Sequence, residues 1–101
     1  MPDKIVVTID PQIAALVPRF LENRAADVGR MRKALAGGEF ETIRVVGHGM
    51  KGAGGAYGFP EISRMGAALE EGARSRDAGT VSALVTGLEE YLGRIEVKCG
   101  G

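Results

Sequence analysis

The sequence predicts an all-α protein, an antiparallel four-helix bundle with a short N-terminal helix and an extended arm. Apolar residues recur every three or four positions in four successive segments, which is the period of an amphipathic helix. Glycine and proline separate these segments by short loops, and short loops favour antiparallel neighbours. A chain of 101 residues is expected to form one domain, 1–101, with the arm at 1–9 and the bundle at 10–97.

The start of the chain contains an arm and a helix start. A β-branched run, Ile5–Thr8, indicates an extended segment that could lie against the bundle. Asp10 can accept a capping hydrogen bond, and Pro11 suits a first helical turn, so we expect a short helix from here. Pro18 can restart or bend that helix, because the N–H that proline lacks is unused in a first turn.

Four long helices follow from the apolar pattern and its breaks. We expect, in order, a helix ending at Gly37-Gly38, one from Glu39 to Tyr57, one opening at Phe59-Pro60-Glu61 and one with an apolar stripe from Val81 to Ile95. Gly58 is the expected stop of the second of these helices.

Composition excludes several classes of protein. Thirteen basic and thirteen acidic residues give a net charge of zero, which argues against nucleic-acid binding. No apolar run approaches the ~20 residues of a membrane span, and no signal-peptide core is present. The single cysteine, Cys99, rules out an internal disulfide and fits the cytoplasm. One histidine and one cysteine are too few for a structural zinc site.

The only histidine, His48, lies in a glycine-rich segment, GHGMKGAGGAYG, from Gly47 to Gly58. With Ile43 set as the centre of the buried face, about 100° per residue places His48 at about 140°, on the solvent side. Lys51 and Arg44 fall at about 80° and 100°, so two cations lie beside an exposed imidazole. The buried face is completed by Val46, Met50, Gly54 and Tyr57.

The core His48-x-x-Lys51-Gly52, followed by small residues, resembles the phosphorylated helix of histidine phosphotransfer domains, and the resemblance extends over about Asp10 to Val97. It implies that His48 accepts a phosphoryl group from the aspartate of a receiver domain, or from a histidine kinase, and passes it to another response regulator. The implied partners are receiver domains and a sensor or hybrid histidine kinase. The protein would then be a phosphocarrier rather than an enzyme.

Residue chemistry assigns roles within this segment. A neutral imidazole is a good nucleophile near neutral pH. Lys51, a surface neighbour of His48, would offset the phosphoryl charge, and Gly52 would leave room where a side chain would crowd the imidazole. No ATP-binding loop or Mg²⁺ carboxylate pair is present, so we expect no cofactor in this chain and Mg²⁺ on the partner receiver domain.

Glu70 is the candidate acceptor for Nδ1 of His48. With Ile62 in the core, Glu70 falls on the core flank at about 80°, while Glu71 points outward at about 180°. A bond to Nδ1 would leave Nε2 free to attack. In the phosphotransfer domain of bacterial chemotaxis kinases, a glutamate on the following helix orients the histidine, and Leu69-Glu70 resembles that position. A plain surface carboxylate is the alternative.

A small, apolar strip on the side away from the core predicts a docking surface. The strip consists of Val45, Gly49, Gly52 and Ala56, which fall at about 180–240° on the helical wheel. The predicted docking residues are Arg44, Val45, Gly49, Gly55 and Ala56. The alternative is that this strip packs on the N-terminal arm.

The chain also shares features with other classes of protein. Gly47-x-Gly49-x-x-Gly52 matches a dinucleotide-binding fingerprint, but the region that follows it keeps a helical period and contains no second strand. A detached kinase dimerisation domain would carry an acidic residue in place of Gly49, and the chain is too short to hold a kinase's ATP domain. The main rival is a non-catalytic helical adaptor in which His48 is silent. A monomer is expected.

Overall fold

The computed structural model describes residues 3–100 and confirms the four-helix, all-α architecture. The elements in chain order are strand β1 (Ile5–Ile9), a 3-10 turn (Ala14–Leu16), helices α1 (Val17–Ala36), α2 (Phe40–Ala56), α3 (Pro60–Arg74) and α4 (Ala78–Arg94), and strand β2 (Ile95–Cys99). Each helix contacts the next one, and α1 also contacts α4, which closes the bundle. No helix within residues 3–100 combines the length and apolar character needed to cross a bilayer.

The predicted helix start at Asp10 is only partly right. Oδ1 of Asp10 accepts a hydrogen bond from the backbone N–H of Gln12 at 2.8 Å, so Asp10 caps a turn. The expected short helix is a single 3-10 turn, Ala14–Leu16, which leads directly into α1 at Val17. Pro18 lies in the first turn of α1, where its missing N–H has no intrahelical partner to lose.

The predicted end of the bundle is wrong. The apolar stripe was expected to stay helical through Ile95 and the bundle to extend to residue 97, but α4 ends at Arg94. Ile95–Cys99 instead pairs in parallel with β1, from Ile5 opposite Ile95 to Ile9 opposite Cys99. Alternating β-branched residues favour a strand once a partner strand is available, and the arm supplies that partner. The arm is therefore half of a two-stranded ribbon.

The three loops between the helices share one hydrogen-bonding pattern. Gly38 and Gly58 adopt φ of +70° and +86°, which a glycine tolerates without strain. In each loop, the amide two positions after the helix donates to a carbonyl three residues earlier, and the next amide donates to a carbonyl five residues earlier, as in a Schellman motif. Arg76 takes the same left-handed position after α3 with φ of 55°, and its guanidinium lies 5.0 Å from the Phe40 ring centre. The glycines predicted to end α1 and α2 do so.

The core is aliphatic, with one aromatic cluster at the end of the bundle nearest Gly58. Phe20 stacks on Tyr57 with ring centres 4.5 Å apart and on Phe59 at 5.5 Å. The fully buried side chains are Ile9, Met31, Ile43, Met50, Phe59, Ile62, Leu69, Val81, Val85 and Leu88. Ile9 places the end of β1 inside this core, so the ribbon is attached to the bundle by packing as well as by the chain.

Helices α2 and α3 touch backbone to backbone, because glycines occupy both sides of their contact. A Cβ built on Gly66 would lie 2.5 Å from the amide nitrogen of Lys51, and one on Gly47 would lie 2.8 Å from that of Glu70. At the far end of the contact, a Cβ on Gly54 would lie 2.5 Å from the amide nitrogen of Ser63. These glycines weaken helix propensity but permit a close approach, and that approach sets the distance from α3 to His48.

Candidate functional site

His48 lies on the solvent side of α2, where helical phase places it. Its side chain is 68% exposed. Ile43, Val46 and Met50 of the same helix are buried, so α2 is anchored by one face and presents His48 on the other. The imidazole is fixed at its base by a rigid helix and is open to an approaching molecule.

Glu70 of α3 holds the imidazole through one ring nitrogen. Nδ1 of His48 lies 3.0 Å from Oε2 of Glu70, and Glu70 is only 7% exposed. A neutral ring that donates Nδ1–H to this carboxylate directs the lone pair of Nε2 toward solvent. The choice of Glu70 rather than Glu71 from helical phase therefore agrees with the geometry.

Two cations complete the surroundings of the carboxylate. Nζ of Lys51 lies 3.5 Å from Oε1 of Glu70, and Nη2 of Arg74 lies 3.5 Å from Oε2. Burial alone would raise the pKa of Glu70, but the hydrogen bond with His48 and the charges of His48, Lys51 and Arg74 outweigh it and lower that pKa. Glu70 is therefore a carboxylate throughout the neutral range.

Arg44 does not join this group. Its Nε donates to Oε2 of Glu41, one turn earlier in α2, at 3.0 Å. Helical phase places Arg44 on the correct side of the helix, but the acidic residue three positions before it captures the guanidinium. Of the two cations expected beside the imidazole, only Lys51 lies in the cluster around Glu70, and Arg74 takes the place of the second.

The predicted docking strip is exposed. Val45 is 54% exposed, and a Cβ on Gly49 or Gly52 would meet no atom within 4 Å. The alternative in which the arm covers the strip is wrong, because Val45, Gly49 and Ala56 are all exposed and the arm pairs with β2 instead. Because a Cβ on Gly52 would meet no atom, the crowding of the imidazole expected there requires a longer side chain.

The last two docking residues lie toward the C-terminal end of α2. Gly55 and Ala56 are both exposed. The backbone N–H of Gly55 donates to Oγ of Ser63 in α3 at 2.7 Å, which ties this end of the strip to the neighbouring helix. The strip therefore extends from Val45 to Ala56 along a supported helix.

A groove beside the strip contains residues that the sequence interpretation missed. It has a volume of about 260 Å³ and lies between α1 and α2 at Val45 and Gly49. Asp27 of α1 is 5% exposed, and its two oxygens lie 2.8 Å from Nε of Arg24 and 3.2 Å from Nη1 of Arg30. The Arg-x-x-Asp-x-x-Arg spacing indicates ion pairs along one face of α1. Only the rotation of α1 against α2 places those pairs in the groove beside the docking strip.

Fold and site together define a class of protein: a helical bundle that presents one oriented, exposed histidine. The model of the Hpt domain family matches residues 15–96. The chain therefore belongs to the Hpt domain family, which confirms the resemblance based on His48, Lys51 and Gly52. Hpt domains have a phosphotransfer role in phosphorelays, as phosphocarriers that interact with receiver and kinase proteins. The comparisons with curated proteins and with solved structures gave no match.

The position of the glycines inside a helix excludes the dinucleotide-binding interpretation. Gly47, Gly49 and Gly52 all lie inside α2, between Phe40 and Ala56. A dinucleotide fingerprint needs a strand before the glycines and a turn at them. The match of the motif is therefore a coincidence of glycine content.

Proposed function

We propose that His48 accepts a phosphoryl group from the aspartyl phosphate of a receiver domain, or from a histidine kinase, and passes it to another response regulator. The observation that carries this proposal is the 3.0 Å contact between Nδ1 of His48 and Oε2 of Glu70, on an imidazole that is 68% exposed. It leaves Nε2 as the free nucleophile at a surface that a second protein can reach.

The transfer step follows from this geometry. The lone pair of Nε2 attacks the phosphorus, the P–N bond forms, and the bond from phosphorus to the aspartyl oxygen breaks with its electron pair left on that carboxylate. The product ring retains the proton on Nδ1 and carries positive charge. Glu70 accepts that proton's hydrogen bond and stabilises the charge. Transfer to the next receiver reverses the step.

The other residues support the step through charge and space. Lys51 is 53% exposed and lies three residues after His48 on the same helix, so its ammonium group can shift from Glu70 toward a phosphoryl group on Nε2. Gly49 and Gly52 keep the neighbouring helix surface free of side chains. We assign Mg²⁺ to the receiver, whose aspartate would need it, since no group of three or more metal-ligating side chains occurs within residues 3–100.

Substitution of the acceptor tests the proposal directly. His48→Gln should take no phosphoryl group from a labelled receiver or from phosphoramidate, because no other imidazole is present. The wild-type label should be acid-labile and base-stable, and circular dichroism should show both proteins equally helical. Labelling of His48→Gln would overturn the assignment. A wild-type protein that takes no label from either donor would favour the silent helical adaptor.

The groove arginines should affect transfer between proteins but not the chemistry at His48. Arg30 is 61% exposed and lies beside the docking strip, so Arg30→Ala should slow transfer from a receiver roughly threefold to tenfold by slowing association. Labelling by phosphoramidate, which needs no docking, should be unchanged.

Arg32→Ala is the matched control for this measurement. It removes an ion-paired arginine from the same helix, but Arg32 pairs with Glu89 of α4 at 2.8 Å, outside the groove. Equal slowing by Arg30→Ala and Arg32→Ala would show that the groove is not part of the docking surface.

A further inference from the structure

Arg74 of α3 contacts the site but has no role in the transfer step described above. Its Nη2 lies 3.5 Å from Oε2 of Glu70, the same oxygen that lies 3.0 Å from Nδ1 of His48. Its Nη1 lies 3.5 Å from Oε2 of Glu71. The guanidinium therefore bridges two consecutive carboxylates, and one of them orients the proposed phosphoryl acceptor.

The carboxylate of Glu70 is held from both sides. Lys51 approaches Oε1 from α2, and Arg74 approaches Oε2 from the next turn of α3. A carboxylate with a cation at only one oxygen is free to turn that oxygen away from a third partner. With a cation at each oxygen, Oε2 stays directed at the imidazole, and its second lone pair can still accept Nδ1–H.

We propose that Arg74 is a positioning residue for phosphoryl transfer, which acts through Glu70 to keep His48 in the tautomer with a free Nε2. This role rests on the proposed function of His48. Arg74 lies one helical turn beyond Glu70 and shares the oxygen Oε2 with the imidazole, so its influence on the reacting nitrogen passes through that oxygen and through its charge.

Charge gives the second part of the effect. Arg74 also offsets part of the negative charge of Glu70, at the oxygen that faces Nδ1 of His48.

The experiment compares wild type, Arg74→Ala, Arg74→Lys and Arg64→Ala in phosphoramidate labelling at neutral pH. Nitrogen NMR of the single imidazole gives the tautomer directly in each protein. Arg74→Ala should label roughly threefold more slowly at neutral pH, the size of effect expected for an exposed ion pair, and should show a larger share of the Nε2–H tautomer. Arg74→Lys should recover most of the rate, because it retains the charge.

Arg64→Ala is the matched control, since Arg64 is an exposed arginine of the same helix that pairs with Glu61 instead. It should leave the labelling rate and the tautomer unchanged. A wild-type rate and tautomer in Arg74→Ala would overturn the positioning role while His48 remains the acceptor. A wild-type protein that takes no label would overturn the proposed function instead, and the NMR comparison would still show whether Arg74 sets the tautomer.

Discussion

Gly66→Ala should destabilise the protein by about 2 kcal/mol, although alanine is the better helix former. The new Cβ would lie 2.5 Å from the amide nitrogen of Lys51 and 2.7 Å from the carbonyl oxygen of Gly47, both backbone atoms of α2. Backbone cannot rotate away as a side chain can, so α2 and α3 must move apart. Thermal unfolding should show a midpoint lower by about 10 °C.

Gly87→Ala is the control for Gly66→Ala. Gly87 lies within α4, and a Cβ there would meet no atom within 4 Å. The same substitution should therefore stabilise the protein by up to about 1 kcal/mol through helix propensity alone. If Gly66→Ala were as stable as Gly87→Ala, the two helices would not be in backbone contact in solution.

Gly66→Ala should also impair the site. Separation of α2 from α3 lengthens the contact between His48 and Glu70, because these two residues lie on opposite sides of the glycine contact. Folded Gly66→Ala protein should accept phosphoryl groups more slowly than wild type even at a temperature where both are folded. The glycines thus connect the packing of the bundle to the orientation of the imidazole.

Glu70→Gln should slow phosphoryl acceptance by His48 roughly tenfold, in the range seen when the partner of an imidazole ligand is removed. The amide can still contact Nδ1, but it has no negative charge with which to stabilise the positively charged phosphorylated ring. Phosphoramidate labelling measures the loss without a partner protein. Glu71→Gln, a change at the exposed neighbouring carboxylate, should leave the rate unchanged, and equal slowing by both variants would contradict the assignment.

Glu70 should also make the stability of the protein depend on pH. The pKa of Glu70 in the folded protein is lowered below its ordinary value of 4.5, so its interactions stabilise the protein fully above that value. They are lost as the pH falls through the lowered pKa. The difference in unfolding free energy between wild type and Glu70→Gln should therefore be present at neutral pH and disappear in acid, as chemical denaturation at the two pH values would show.

Helical phase was sufficient for much of the site and insufficient for the rest. Phase within one helix placed His48 on the solvent side of α2 and Glu70 on the inner flank of α3, because both depend only on a period of 3.6 residues. Arg74 was readable in the same way, because it lies four residues after Glu70 on the same helix, α3. The position of Arg24 and Arg30 beside α2, in contrast, depends on how two helices are rotated against each other. A single sequence without a structure does not contain that rotation in readable form.

Two other differences between the sequence-based predictions and the structure have local causes. Ile95 fits both the last turn of a helix and the first position of a strand, and only the presence of β1 decides between them. Helical phase placed Gly54 on the buried face of α2 and Gly49 on its outer side, but did not show which glycines touch another helix. Their neighbours divide them into Gly47 and Gly54, which touch α3, and Gly49 and Gly52, which face open space.

The ribbon formed by β1 and β2 also determines how the domain responds to pulling. Because the strands are parallel, the chain enters the ribbon at Ile5 and leaves it at Cys99, at opposite ends. Tension between segments tethered beyond these two points would slide one strand along the other and strain every inter-strand hydrogen bond at once. In a hairpin the same bonds would open singly. Such tension would therefore load the ribbon in shear before it reached the helices of the bundle.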